Sequence, residues 1–389
     1  MKKTIIHIAP VTPHMSGLYE TTREMVYYEQ KLGYNSFIFD SRPSPEEIEK
    51  IKEIESSKPN KNSVSCPACN ISITTGERVV TNQPKVPDWS EDRGTCSVPF
   101  EFVIDELNKG GLLVSHSGVT EKLRELKIPY LHIAHGRPYS SFLIERSGQN
   151  PIYSTYEHIG RTKELIGAIT LWPEYKLYLE LLFPKIYAFD AWVDLEKWKV
   201  FDTDYDFNGH KAEINVVCSD AWRLDKDPYH VLNNFRIFNK KYPNSKIHIY
   251  GVKNEPGWNC MIGKMKQLGL TGEIRPIVKN LEEIYNAADM LVTPHKIATR
   301  TIREAMGCGL QVVGGINNRF TEYNADVEDL DAFAKEMERA YLDIEKKDTR
   351  KLNRQKAVKF FDPIVNIQKV AELYEEVFEK GLNRIQNNG

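Results

Sequence analysis

Short apolar runs recur along this chain, each followed by a stretch in which apolar residues return every three or four positions. Thr4–Ile8, Ser36–Asp40, Gly111–His116, Tyr130–Ala134 and Leu165–Thr170 are such runs in the first half; Ile214–Cys218, Lys246–Gly251, Met290–Val292 and Gln311–Val313 are those of the second. Apolar runs this short, with little alternation, suit strands buried on both faces of a parallel sheet. The helical period shows at Leu18, Met25, Tyr28 and Leu32, at Val231, Phe235, Phe238 and Tyr242, and at Leu281, Ile284, Tyr285 and Ala288. Further helices are expected at Val119–Leu126 and Glu174–Phe183. Strand, helix, strand, repeated in this way, is the pattern of a doubly wound α/β fold. Two amphipathic helices close the chain, one through Leu330, Phe333, Met337, Ala340 and Ile344, the other carrying Val370, Leu373, Val377 and Phe378 beyond Pro363.

The pattern breaks twice. Residues from about Ser41 to Asp105 fit no compact strand–helix–strand spacing: Glu46–Ser57 reads as a charged helix and Ser63–Phe100 as an insert. The polar segment Phe201–Lys211, with Gly209, reads as a linker. A chain of 389 residues exceeds the usual single core, so two domains are expected on either side of that linker. The formal net charge of −2 gives no general attraction to nucleic acid or to an anionic membrane. No apolar run approaches the roughly 20 residues that span a bilayer. The opening Lys2–Pro10 is too short and too polar for a signal peptide and reads as a first strand. Six scattered cysteines without secretory context point to free thiols in a reducing compartment, so a cytoplasmic location is expected. Cys66-Pro67-Ala68-Cys69 with Cys96 has the outline of a zinc knuckle, but three cysteines leave such a site one ligand short. No metal is assigned.

Candidate chemistry gathers where strands end. Lys296-Ile297-Ala298-Thr299-Arg300 is a polar loop between the strand that ends near Pro294 and a helix beginning at Thr301 that carries Glu304. A helix N-terminus at the carboxyl edge of a parallel sheet presents free backbone N–H groups to an anion. Glu304 has two readings. Thr301-x-x-Glu304 fits a capping box, in which the carboxylate serves its own helix; the other reading, in which it accepts hydrogen bonds from ribose hydroxyls, is what a family resemblance carried by its flanking residues implies. Arg303 is expected on solvated surface. Gly17 follows the first strand at a turn, and Gly251 ends another strand. His116 and His135 close neighbouring strands at the edge where a crevice would lie. Arg223 and Lys226 are two cations in the polar segment Ser219–Asp227 that follows a strand.

Tyr285-Asn286-Ala287-Ala288-Asp289, Pro294, Glu304-Ala305-Met306-Gly307-Cys308-Gly309 and Val312-Val313 together resemble the donor-site signature of the GT-B glycosyltransferases of family 4. Lys296 stands where that family has a second glutamate, and Ser16-Gly17 where it has two glycines. His135-Gly136 and the interdomain segment through Val193-Asp194 resemble further family positions. The resemblance implies two Rossmann-like domains facing across a cleft: residues 1–195 for the acceptor (with the insert at about 41–105), residues 196–362 for the nucleotide-sugar donor, and a terminal helix, 363–389, crossing back to the first domain. It implies His135, Lys226 and Glu304 as catalytic residues and Gly17, Arg223, Gly251, Thr299, Arg300 and Thr301 as donor-binding. It implies a nucleoside diphosphate sugar, UDP-linked above others, as donor, with no cofactor or metal required. Transfer would proceed with retention to a hydroxyl on a glycan, lipid, protein or nucleic-acid base. A sugar-nucleotide epimerase on the same fold, and a non-catalytic subunit that binds sugar nucleotide or glycan, are the alternatives.

Overall fold

The computed structural model describes residues 2–10, 17–40, 98–116, 126–135, 156–220, 228–251 and 255–386, with a hairpin at 63–66 and 71–74. Two six-stranded parallel sheets form its frame. The first contains β1 (Thr4–Ala9), β2 (Asn35–Asp40), β5 (Leu112–Ser115), β6 (Tyr130–Ala134), β7 (Leu165–Thr170) and β8 (Ile186–Ala188), in spatial order 2-1-5-6-7-8. The second contains β9 (Ile214–Cys218), β10 (Ser245–Tyr250), β11 (Ile274–Arg275), β12 (Met290–Val292), β13 (Gln311–Gly315) and β14 (Tyr323–Ala325), in order 11-10-9-12-13-14. Every residue of β1, β5, β6, β9, β12 and β13 is buried, which explains why their sequences are apolar without alternation.

Each order reverses once. The chain winds outward from β1 to β2, then returns to lay β5 on the other side of β1; in the second sheet the same reversal lies between β9 and β12. At such a switch point the connections leave in opposite directions, and the gap between them beyond the strand ends is where open α/β sheets take their ligands.

Helices cover both faces. The first half carries α1 (Gly17–Lys31), α2 (Phe100–Asn108), α3 (Tyr156–Gly160) and the single turn α4 (Lys176–Leu179). The second carries α5 (Pro228–Lys241), α6 (Glu255–Leu268), α7 (Leu281–Ala287), α8 (Arg300–Gly307), α9 (Leu330–Lys346) and α10 (Thr349–Phe361). The last helix, α11 (Pro363–Gln386), crosses back. Its Ile367, Val370, Leu373, Tyr374 and Val377 share one core with Ile5, Met25, Tyr28 and Leu112 of the first half.

Between the halves, the segment after β8 is clamped from both sides. Trp192 is fully buried in the first core, while Val193 and Trp198 belong to the second. Gly307 lies so close to Trp198 that an added Cβ would meet its backbone oxygen at 2.9 Å. Arg354 of α10 donates from Nη1 to the carbonyls of Trp198 and Gly307 and from Nη2 to that of Leu195. The segment expected as a linker is anchored too: Phe207 is fully buried and stacks on His248, ring centroids 3.8 Å apart.

Two expectations change. Glu174–Phe183 forms only a 3-10 turn at Pro173–Tyr175 followed by one turn of α4, because Leu177 and Leu181 find no partner (79% and 81% exposed) and Pro184 stops the helix. The helix α10 carries no apolar stripe: its buried line is Thr349, Asn353, Ala357 and Phe361. The helices expected at Glu46–Ser57 and Val119–Leu126, and the Cys66, Cys69 and Cys96 group as a unit, lie outside the described residues or include residues that do. The β-like run expected after Cys69 does form, as β4 (Ile71–Thr74), which pairs antiparallel with β3 (Ser63–Cys66).

Arg354→Ala should remove three hydrogen bonds from a cation to backbone carbonyls and leave those carbonyls enclosed. A loss of about 2 kcal/mol is expected, read as a lower denaturant midpoint without change of slope.

Candidate active site

The second switch point is closed by a carboxylate. Asp220, two residues beyond β9, is buried; its Oδ2 accepts from Thr293 Oγ1 at 2.5 Å and its Oδ1 from Thr301 Oγ1 at 3.1 Å. His295 Nε2 lies 3.0 Å from the same Oδ1. One side chain thus ties the end of β9 to the end of β12 and to the first turn of α8. Thr299 Oγ1 lies 2.9 Å from Thr301 Oγ1, so both hydroxyls sit at that helix mouth. Gly251 follows β10 with φ of +93°, and a Cβ there would lie 3.3 Å from the Asp220 carbonyl oxygen. The left-handed conformation and the close approach both call for glycine.

Across the gap stands α1. Arg300, the first residue of α8, donates from Nη2 to Glu24 Oε1 of α1 at 2.6 Å, while its Nε lies 2.6 Å from Glu304 Oε1. Gly17, at the start of α1, faces the same arginine: an added Cβ would lie 3.7 Å from Arg300 Cδ. Although burial alone would lower it, the pKa of Arg300 is raised by the Glu24 and Glu304 carboxylates. Burial pushes Glu304 up to about 7, against the pull of Arg300.

The first switch point holds histidines. His7 on β1, His116 beyond β5 and His135 beyond β6 stand in a row: His7 Nδ1 lies 2.8 Å from His116 Nε2, and His116 Nδ1 lies 2.8 Å from His135 Nε2. Burial holds His135 down to about 3, with the charges of His132 and Arg303 adding to the effect.

The sequence-derived candidates therefore divide. Arg300 contacts Glu304 and lies beside Gly17, Thr299 and Thr301 adjoin them at the helix mouth, Gly251 packs on the residue that holds Thr301, and His135 stands at the first switch point in the histidine row. Arg223 and Lys226 fall in a segment outside the described residues. The capping-box reading of Glu304 does not hold. The N-cap of α8 is Thr299, without a side-chain cap bond, and the Glu304 carboxylate is spent on Arg300. Arg303 is not surface: it is 1% exposed, its Nε and Nη1 lack a hydrogen-bond partner, and burial lowers its pKa to about 10. Lys296 is exposed. Sequence reasoning passed over Glu24 on α1, His7 on β1, and Asp220 and His295 just beyond the ends of β9 and β12; of these only His7, a polar residue within an apolar strand, stood out locally.

No family model matches the chain, and no curated protein sequence matches it. Solved structures do. Sucrose-phosphate synthase from Thermosynechococcus elongatus superposes with a TM-score of 0.65 at 13% identity, over 97% of this chain and 100% of that one. Anabaena Alr3699/HepE in complex with UDP-glucose gives 0.62 at 12% identity, over 96% and 99%. The pneumococcal O-GlcNAc transferase GtfA in complex with UDP and GlcNAc gives 0.61 at 14%, over 98% and 99%. The fold is that of the GT-B glycosyltransferases, with the terminal helix crossing back as the sequence led one to expect. Among the described residues no helix is long and apolar enough to cross a membrane.

The raised carboxyl of Glu304 has a sign. Between its unfolded value near 4.5 and its folded value of about 7, the folded chain holds a proton that the unfolded chain has lost. That contribution to stability is complete below the lower value and disappears as pH rises through the upper one. Glu304→Gln should flatten this fall, which denaturant midpoints of both proteins at about pH 5 and about pH 7.5 will measure.

Proposed function

We propose that this chain is a glycosyltransferase that takes a sugar from a nucleoside diphosphate, UDP above others, and passes it to a hydroxyl acceptor. The observation that carries the reading is the first turn of α8, set at the second sheet's switch point, with Arg300 reaching across the gap to Glu24 of α1. Backbone N–H groups of a first helical turn have no partner within the helix and carry the positive end of its dipole. A diphosphate lying there would meet those groups, the Thr299 and Thr301 hydroxyls and the Arg300 guanidinium. Glu304, once ionised, would accept from the ribose hydroxyls, and His135 would orient the sugar. Arg223 and Lys226 would bring further positive charge to the phosphates, so that no metal is needed to stabilise the departing diphosphate. Among the described residues the carboxylates at this mouth are already engaged, Glu24 and Glu304 by Arg300 and Asp220 by Thr293 and Thr301, and leaving-group stabilisation with retention of configuration follows as the simplest course. The preceding half, with residues 1–195, would take the acceptor.

Purified chain incubated with UDP-sugars and an acceptor library should release UDP only when an acceptor is present, with activity surviving a chelator. An isomerised donor would indicate an epimerase instead, and binding without turnover a non-catalytic subunit. Lys226→Ala and Glu304→Ala should each lower donor turnover by about tenfold, equivalent to ~1.4 kcal/mol of transition-state binding. Native rates in either variant would remove that residue from the site.

A further inference from the structure

A cation without a partner stands behind the helix mouth. Arg300, Arg303, Glu304 and Gly307 recur at helical spacing and so rise along one face of α8. That face touches α1 where Arg300 meets Glu24, and touches the segment between the halves where Gly307 lies against Trp198. Thr301, two positions before Arg303, leaves the helix on the opposite side and meets Asp220 at the second sheet. Arg303 therefore belongs to the side of α8 that faces the first half.

Its charge has no counterweight. Arg303 is 1% exposed, and its Nε and Nη1 meet no hydrogen-bond acceptor. Glu24 and Glu304 each give an oxygen to Arg300 instead, and Glu24 Oε2 stays bare without Arg303 taking it. Burial pushes Glu304 up to about 7, so near neutral pH it is ionised only in part. Arg303, lowered by burial to about 10, keeps its charge there. Two guanidiniums thus face fewer than two negative charges. A cation held out of water without a counter-ion works against folding. A guanidinium in that condition is a ready donor set for an oxyanion, since it has N–H groups to give and does not release its proton.

We propose that Arg303 is a second anion subsite, which takes a carboxylate or phosphate carried on the sugar side of the substrates and is separate from the place of the donor diphosphate. The substrate role rests on the transferase reading; the unpaired charge does not. The diphosphate belongs at the helix mouth with the Thr299 and Thr301 hydroxyls, and Nη1 of Arg300, bare as well, is left for it. Arg303 lies a turn further along, on the face toward α1. Two carriers can bring the anion there: the transferred sugar as a uronate, or the acceptor as a uronate or sugar phosphate. Either would make a charge-assisted hydrogen bond and cancel the surplus. A sugar bearing hydroxyls alone leaves the buried charge uncancelled, so the site should discriminate against it.

Denaturant midpoints of the full chain test the charge without any ligand. Arg303→Met keeps an unbranched side chain and drops the charge, so it should raise the midpoint. A lower midpoint, or a variant that does not fold, would show that the charge holds the protein together and overturns the proposal. Calorimetry on the native chain reads the ligand. UDP-glucuronate should bind at least about tenfold tighter than UDP-glucose when the donor carries the anion. With UDP bound, glucuronate or glucose 6-phosphate should bind at least about tenfold tighter than glucose when the acceptor carries it. Arg303→Met should abolish the preference found. Absence of both preferences, or one that survives Arg303→Met, overturns the proposal. A loss that falls equally on UDP alone would put Arg303 at the diphosphate and overturn it too. Failure of UDP and every UDP-sugar to bind would sink the transferase reading instead. The midpoints, with glucuronate and glucose 6-phosphate each compared with glucose in the absence of nucleotide, then decide whether Arg303 takes an anion.

Discussion

One guanidinium held between two carboxylates joins the halves of this molecule. Arg300 reaches Glu24 of α1 in one direction and Glu304 of its own helix in the other, and all three are largely shut away from water. A buried ion pair gives little net stability, since desolvation takes back most of what the charges return. Its effect is geometric. Breaking it would strand a charge in the interior, so the mouth of α8 is kept at one distance and one angle from the start of α1.

Around that link the two sheets present unlike chemistry at matching places. The second switch point is an anion-type mouth: hydroxyls, a helix N-terminus and a buried aspartate that pins them to the strand ends. The first is a row of imidazoles leading back to a buried glutamate. The division arises from side chains rather than from the sheets, which are both six-stranded, parallel and reversed once. The fold therefore supplies two facing crevices, and a few polar residues on buried strands give each its character.

Much of the frame could be read from the chain. The strands at Thr4–Ala9, Ile214–Cys218 and Met290–Val292 stood out because both sheet faces are covered, which forces unbroken apolar runs. The Glu304-Ala305-Met306-Gly307-Cys308-Gly309 segment was conspicuous because a helix must end tightly there, with Gly309 at φ of +74° and the backbone of Arg350 packed against it. Helix α10 went unseen for a physical reason: its buried line of Thr349, Asn353, Ala357 and Phe361 has helical spacing but mostly small or polar members, so hydrophobicity carries no period. Its cap, Asp348 accepting from the Lys351 N–H, was the one local signal available.

The partners of polar residues were beyond the reach of sequence. Thr301 and Glu304 stand three apart, as a capping box requires, and nothing local reveals that Glu304 turns instead to Arg300. Arg303 has the composition of a surface residue and lies inside. His7 sits on an apolar strand with no neighbour in sequence to explain it, and its partners come from 22 and 109 residues away. Sequence by itself determined which stretches become buried strands and where tight turns must fall, because burial and backbone freedom are properties of each residue and its near neighbours. Only the tertiary structure decided which charges and hydrogen-bonding groups meet, because that depends on how two sheets and a returning helix bring distant positions within 3 Å of each other.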